Sequence, residues 1–389
     1  MLPKFLSRTG AIALLALACP PFPSLAEDWE RQVYGRLQYD YTRSSGDQSG
    51  FSLDRGELRT GRVGLDLKSD RTKLRVELAL NNDGDIEITD AYIKQALGGS
   101  GWDVRAGHFK TQNSLDEQTS GRFLAFYERA AFTDAFAFDR RVGVQLEHNG
   151  SRHSVYAGVF ADNANETAFS GGHAAAVRYV FTPLLTDTEL LHFGVSVRWR
   201  EAGDVDFRYR QRPVSHDAGA LLSTPGFASD DLFGGAEAAW IHGPVWLAGE
   251  YGQLQANGAA GPDASYTGAY AEAGYVFGGH RTYEHSKFDR PAVYRPVTSG
   301  GPGALVLAAR ADRLDLSGNA VSGGQLDTYT LAADWFATPY VHAGINLYRA
   351  EAEFGSTSSG LAPAFAAYLL DGGRFEDVTG ISLRVQFDF

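Results

Sequence analysis

The sequence predicts an all-β chain closed into a 16-stranded antiparallel transmembrane β-barrel. Three observations predict it. Segments of about ten residues with alternating apolar and polar side chains recur sixteen times, whereas a helical apolar period is almost absent. The connections between segments alternate between short and long. The last segment keeps its alternation to a terminal Phe389. An even number of such strands, with tight turns on one side and long loops on the other, fits the barrels of bacterial outer membranes. Closure removes the sheet edges and satisfies every backbone group in lipid.

The composition agrees. The 389 residues are 44% hydrophobic, rich in glycine, and have a mean hydropathy of −0.23. No stretch beyond the N-terminus reaches about 18 consecutive apolar residues, so a spanning helix is excluded. Residues 1–26 read as a secretory signal: Lys4 and Arg8 supply positive charge, Ala11 to Ala18 the apolar run, and Ser24-Leu25-Ala26 a small-x-small cleavage site. Residues 27–389 are then one barrel domain. A rival reading lipidates Cys19, but Ala16-Leu17-Ala18-Cys19 lacks the usual aliphatic residue three before the cysteine. Cleavage after Ala26 leaves an exported chain with no cysteine and hence no disulfide. The formal charge of −12 argues against a nucleic-acid partner. It does not exclude a basic interior, because charges of opposite sign can sit on different surfaces.

In order, strands are expected at 33–42, 57–67, 72–80, 88–96, 102–110, 141–148, 153–161, 173–181, 190–200, 233–242, 245–255, 266–277, 303–314, 326–336, 339–351 and 378–389. The links 69–71, 149–152, 243–244 and 337–338 are tight. The links 43–56, 111–140, 201–232 and 352–377 are long. The link 278–302 falls where a tight turn is due but is long and rich in Pro and Arg. Faces are legible in several strands. Leu74, Val76, Leu78 and Leu80 oppose Lys73, Arg75 and Glu77. Ile381, Leu383, Val385, Phe387 and Phe389 oppose Ser382, Arg384, Gln386 and Asp388. Trp102, Trp199, Trp335 and Tyr340 suit interfacial girdles.

The stretch 198–212 carries five arginines of one parity, Arg198, Arg200, Arg208, Arg210 and Arg212, with Trp199, Phe207 and Tyr209 on the other. A lipid-facing Arg at the midplane costs about 2–4 kcal/mol, so five would cost on the order of 10–20 kcal/mol. That is comparable to the stability of a whole protein. They therefore face the lumen or lie in a loop, and a lumen of sixteen strands is wide enough for water. The chain has 29 arginines and 6 lysines. Arginine offers a planar fork for oxyanions where lysine offers a point charge.

Several short motifs resemble the phosphate-selective porin O/P family of Gram-negative outer membranes. They are Gly107-His108-Phe109-Lys110, Ser114-Leu115-Asp116-Glu117-Gln118-Thr119-Ser120, Glu128-Arg129 and Arg141-Val142-Gly143 in the third loop. Leu58 to Gly64, Asp90-Ala91-Tyr92, Phe207 to Arg212, Lys287-Phe288-Asp289 and the terminal Phe389 add to them in order and spacing. The resemblance implies a homotrimer of 16-stranded barrels in outer-membrane lipid, each with the third loop folded inward, passing anions passively along an arginine ladder. Carried over by position, Arg208, Arg210 and Arg212 match ladder arginines and Arg200 another lumen arginine, with Arg198 beside it. Arg59 matches the first constriction arginine, Arg129 the arginine of the inward loop, Lys110 lies near a loop lysine, and Asp90 lies near the acid that helps define the throat. Arg62 stands in for the second constriction arginine, which is Thr60 here. After Arg212 the chain reads Pro213-Val214-Ser215-His216, where further ladder arginines would be expected.

Phosphate or polyphosphate is the expected cargo. A phosphate crossing such a lumen needs several adjacent sites of modest strength, since one deep site would trap it. Arginines two residues apart give steps of about 7 Å. Asp90 is expected to orient neighbouring guanidinia and weaken the site enough for release, against a plain ion pair with Lys94 or an arginine. Arg105, Arg310 and Arg384 face inward by parity as structural charges, and Glu128-Arg129 could tie the loop to the wall. The competing expectations are a porin for other anions, such as sulfate or organic acids, and a non-conducting structural or adhesive barrel. No motif for hydrolysis, phosphate cradling or metal capture stands out, so neither an enzyme nor a cofactor or metal site is expected.

Overall fold

The computed structural model describes residues 29–80, 84–165, 171–259 and 261–389. The leader, with both readings of its processing, lies outside these residues. Twenty strands follow one another: β1 (Glu30–Gly46), β2 (Ser52–Lys68), β3 (Thr72–Leu80), β4 (Ile86–Ala96), β5 (Trp102–Lys110), β6 (Arg140–Asn149), β7 (His153–Phe160), β8 (His173–Leu185), β9 (Glu189–Glu201), β10 (Arg210–Gln211), β11 (Leu222–Ser223), β12 (Asp230–His242), β13 (Val245–Asn257), β14 (Ala264–Phe277), β15 (Gly279–Glu284), β16 (Lys287–Val293), β17 (Ala304–Ser317), β18 (Ser322–Thr338), β19 (Val341–Phe354) and β20 (Phe375–Asp388). All but β10, β11, β15 and β16 form one closed barrel of sixteen strands in sequence order. Antiparallel pairing of β1 with β20, from Arg36 opposite Asp388 to Gly46 opposite Val378, closes it.

Each expected barrel strand is present. Alternation decides the faces: Val76, Leu78 and Leu80 point outward and are exposed, as are Phe193, Val195, Val197 and Trp199 on β9. Inward neighbours such as Arg198 and Arg200 are buried. The strands run further toward the loops than their apolar pattern indicates. The link expected at 43–56 shrinks to residues 47–51, because β1 and β2 stay paired beyond the apolar belt. There the outer face is polar: the Tyr41 hydroxyl donates to Asp54 (2.6 Å) and Arg43 lies 3.8 Å from it.

The link 278–302 is a hairpin rather than a turn. Its strands β15 and β16 pair with each other and enter the barrel from the short-turn end. Phe288 is buried beside Trp246 of the wall, 6.0 Å between centroids, and Arg281 is stacked over both rings. His285 and Ser286 form the two-residue tip with left-handed backbone, φ 48° and 62°, the hairpin geometry that usually selects Asn-Gly. The wall holds this tip: Ser286 O accepts from Arg178 Nη2 at 2.8 Å, and the His192 ring meets the Tyr283 hydroxyl at 2.7 Å.

The third long loop, residues 111–139, also lies inside. It carries helices α1 (Leu115–Gln118) and α2 (Ala131–Ala135). Ser114 caps α1, and Glu250 of β13 accepts from Ser114 Oγ (3.1 Å), Leu115 N (3.1 Å) and Asp116 N (2.7 Å). A carboxylate at these free amides satisfies donors that the helix cannot. Around α2, Phe132 stacks on Tyr270 at 6.3 Å and Phe138 meets Phe233 edge-on at 4.7 Å. Gly268 makes room for Phe132, whose Cγ would stand 2.8 Å from a Cβ there. This aromatic cluster continues into Tyr209, Leu221 and Leu222 of the fifth loop and Phe365 of helix α3 (Pro363–Leu370) in the last loop.

Candidate functional site

The inward loops fill one side of the barrel and leave a cavity of about 1380 Å³ along the other. Its wall comes from β1 to β7 and β20, faced by the third loop, the β10 arm and the hairpin tip. Among the described residues, seventeen Lys and Arg line it against ten Asp and Glu. The chain's net charge is −12, so the positive lining is a segregation of charge, not an average property. Every lysine after residue 26, namely Lys68, Lys73, Lys94, Lys110 and Lys287, lines this cavity.

Arg59, Arg62, Lys110, Arg129, Arg208, Arg210, Arg212 and Asp90 all reach the cavity. Those of the barrel wall and the third loop are paired. Arg62 Nη1 donates to Glu77 at 3.0 Å, and Arg59 lies 3.6 Å from Glu128. Lys110 Nζ lies 2.7 Å from Glu117 Oε1, and Arg129 Nε lies 2.9 Å from Glu117 Oε2. Two cations thus share one carboxylate. Burial alone would raise the Glu117 carboxyl, but Arg129 and Lys110 outweigh it and hold it below the usual carboxylate value. Arg129 also donates to Thr119 O at 3.0 Å, so it braces the loop that it projects from. Asp90 accepts from Arg140 Nε at 3.1 Å. Lys94 instead binds Asp103 (2.7 Å) and Glu147 (2.6 Å).

The β10 arm differs. Arg208 and Arg210 are exposed and Arg212 half-buried, while Tyr209 and Gln211 between them are buried. The period-2 alternation therefore holds: one face docks and the other presents guanidinium to the cavity. The Tyr209 hydroxyl donates to Asp231 of β12 at 2.9 Å, and its amide to Thr224 Oγ1 at 3.1 Å. No carboxylate pairs with Arg208, Arg210 or Arg212 among the described residues.

Arg198 and Arg200 face inward as parity requires, but they do not reach the cavity. Arg198 donates to Phe136 O (2.9 Å) and Ala137 O (3.1 Å), and Arg200 is bound to Asp231 through Nε (3.1 Å) and Nη2. The third loop covers this part of the wall. The two guanidinia hold the loop and the arm in place, which corrects their assignment to the anion path.

Arg105 and Arg384 are inward ion pairs at the cavity edge, with Glu147 at 2.8 Å and Asp40 at 2.6 Å. Arg310 is buried and donates to Glu128 O at 2.6 Å. Sequence reasoning missed Arg36, Arg122, Arg140 and Lys287, all of which line the cavity. Arg36 stands directly opposite Arg62 across β1 and β2, a like-charge pair that costs energy unless an anion lies between. Its inward parity with Gln38 and Asp40 is a signal that could have found it. Arg122 sits in the loop, where no period exists to read.

Residues 32–389 match the family described as phosphate-selective porin O and P. An uncharacterised protein of Caulobacter vibrioides is 32% identical over 334 residues, covering 80% of this chain and 66% of that protein. Porin O of Pseudomonas aeruginosa is 26% identical over 304 residues, 68% of each chain. This chain therefore spans about two thirds of the length of these relatives. Among solved structures, the anion-selective porin from Comamonas acidovorans superposes with a TM-score of 0.61 at 14% identity, over 93% of this chain and all of that one. The trimer form of OmpT, an outer-membrane protein of Vibrio cholerae, does so at 0.58 and 10% identity, over 93% and 100%. At these identities the likeness is one of fold.

Proposed function

The chain belongs to the phosphate-selective porin O and P family of outer-membrane barrels, and we propose that it passes phosphate or polyphosphate by passive diffusion along the β1–β7 side of its lumen. The observation that carries this reading is the β10 arm, with Arg208, Arg210 and Arg212 turned into a cationic cavity and ion-paired with no carboxylate among the described residues. Free guanidinia replace part of an oxyanion's hydration shell with charge-assisted hydrogen bonds. Spaced two residues apart, they hand the ion on in steps of about 7 Å.

At the throat, Lys110 and Arg129 share Glu117 and Arg140 holds Asp90. An arriving anion competes with a carboxylate for each cation, so its binding stays shallow enough for release. Beyond the throat stand Lys73, Lys94, Lys68 and Lys287, toward the short-turn end. Ammonium groups are strongly hydrated point charges and grip an oxyanion less specifically than guanidinium. Capture by arginine at the loop end and release past lysine at the other gives a graded path.

We also propose a homotrimer. Strands β3, β4 and β5 are short, with 9, 11 and 9 residues. Their outer faces carry exposed Val76, Leu78, Leu80, Ile88 and Ile93, without the exposed Tyr, Trp and Phe found on β1, β9, β14 and β18. A mainly aliphatic face, with the half-buried Trp102 as its aromatic, suits contact with another copy.

The pairing of the throat cations favours a second reading, an anion porin with little preference for phosphate. Single-channel chloride current with added phosphate separates the two. Block at millimolar phosphate supports the first; undiminished chloride current supports the second and removes the phosphate preference.

A further inference from the structure

We propose that Glu57, His216 and Asp217 form a binding site for a divalent transition-metal ion such as Zn²⁺ at the loop end of the lumen. Glu57 lies on β2, while His216 and Asp217 lie just beyond the arginines of the β10 arm. His216 Nδ1 is 3.1 Å from Glu57 Oε2. One ligand atom from each of the three residues lies within 4.8 Å of the others. A nitrogen and two carboxylate oxygens form a borderline-hard donor set suited to Zn²⁺, which takes three protein ligands and completes its shell with water.

One further contact bears on this cluster. Asp217 Oδ2 lies 3.1 Å from Arg55 Nε, and this ion pair holds the carboxylate beside Glu57 and His216.

The cluster occupies the place where the porin O/P resemblance leads one to expect more ladder arginines and where this chain reads Pro213-Val214-Ser215-His216 instead. A bound Zn²⁺ would join two segments 159 residues apart, pin the far end of the arm that carries Arg208, Arg210 and Arg212, and add positive charge at the mouth that His216 lines.

Metal binding is measured directly on the untagged, folded protein in detergent, so its outcome does not depend on conduction. Titration with ZnCl₂ should show one saturable site per chain, with affinity weakened at least about tenfold in His216→Ala and again in Asp217→Asn. Glu57→Gln, at a separate point of the fold, should weaken it similarly. Retained heat resistance and strand content in the variants show that the barrel is intact. No saturable binding to the wild-type chain, or equal binding by wild type and all three variants, would overturn the site.

Discussion

The two sides of the lumen use the same residue types for opposite purposes. On the side formed by β8 to β19, inward arginines are buried and tied to carboxylates or to the third loop: Arg178 with Glu237 (2.5 Å), Arg198 and Arg200 with Asp231, Arg310 with the third loop. Aromatic rings fill the space between them. On the side formed by β1 to β7, arginines border open space and share carboxylates, and those of the β10 arm make no ion pair among the described residues. Facing inward is therefore a property of strand parity, whereas facing water is set by where the loops pack. A cation serves as an anchor on the first side and as part of a path on the second.

The largest effect should come from Asp231→Ala. It leaves Arg198 and Arg200 buried without their carboxylate and Tyr209 without its acceptor. Loss of a buried partner of this kind costs about 3–5 kcal/mol. Thermal unfolding followed by strand circular dichroism should show a clear drop, and an unchanged midpoint would contradict the anchoring role. Next is the triple replacement of Arg208, Arg210 and Arg212 by Ala. It should leave stability within about 0.5 kcal/mol, as for exposed positions, and lower the anion-to-cation permeability ratio by about three- to tenfold, on the order of 1 kcal/mol. A triple variant that unfolds as easily as Asp231→Ala would erase the contrast between the sides. Lys287→Ala on the hairpin tip should have a smaller effect, a less than twofold fall in anion conductance at low salt that disappears at high salt through screening.

The smallest effect concerns pH. The folded Glu117 carboxyl lies below its unfolded value. Its contribution to loop stability is then complete above the unfolded carboxyl pKa of about 4.3 and is lost as pH falls through the lower, folded value. Single-channel noise should therefore increase only in strongly acid solution. Glu117→Gln should show that noise at neutral pH, and a quiet Glu117→Gln channel would remove the carboxylate from the loop's support.

All sixteen barrel strands were legible, because lipid on one face and water or packed loops on the other impose alternation over the spanning part. Their loop-end extensions were not, since beyond the belt both faces are polar, as at Arg43 and Asp54. The hairpin β15–β16 gave no strand signal because it lies within the barrel and has no lipid-facing side. The site was half legible. Parity placed Arg208, Arg210 and Arg212 on one face, and the family resemblance selected Arg59, Lys110 and Arg129. Parity could not separate Arg198 and Arg200 from them, because only the packing of residues 111–139 decides which inward arginines meet water. Glu57 and His216 were invisible as neighbours, being brought together by the fold of the fifth loop alone.

Anchor and path are separated by the reversal potential of single channels under a salt gradient, compared among the wild type, the triple arginine variant and Arg198→Gln. Anion selectivity is expected in the wild type, a shift toward the unselective value in the triple variant, and wild-type selectivity in whatever Arg198→Gln protein folds. A cation-selective wild type, or an Arg198→Gln channel altered as much as the triple variant, would contradict it.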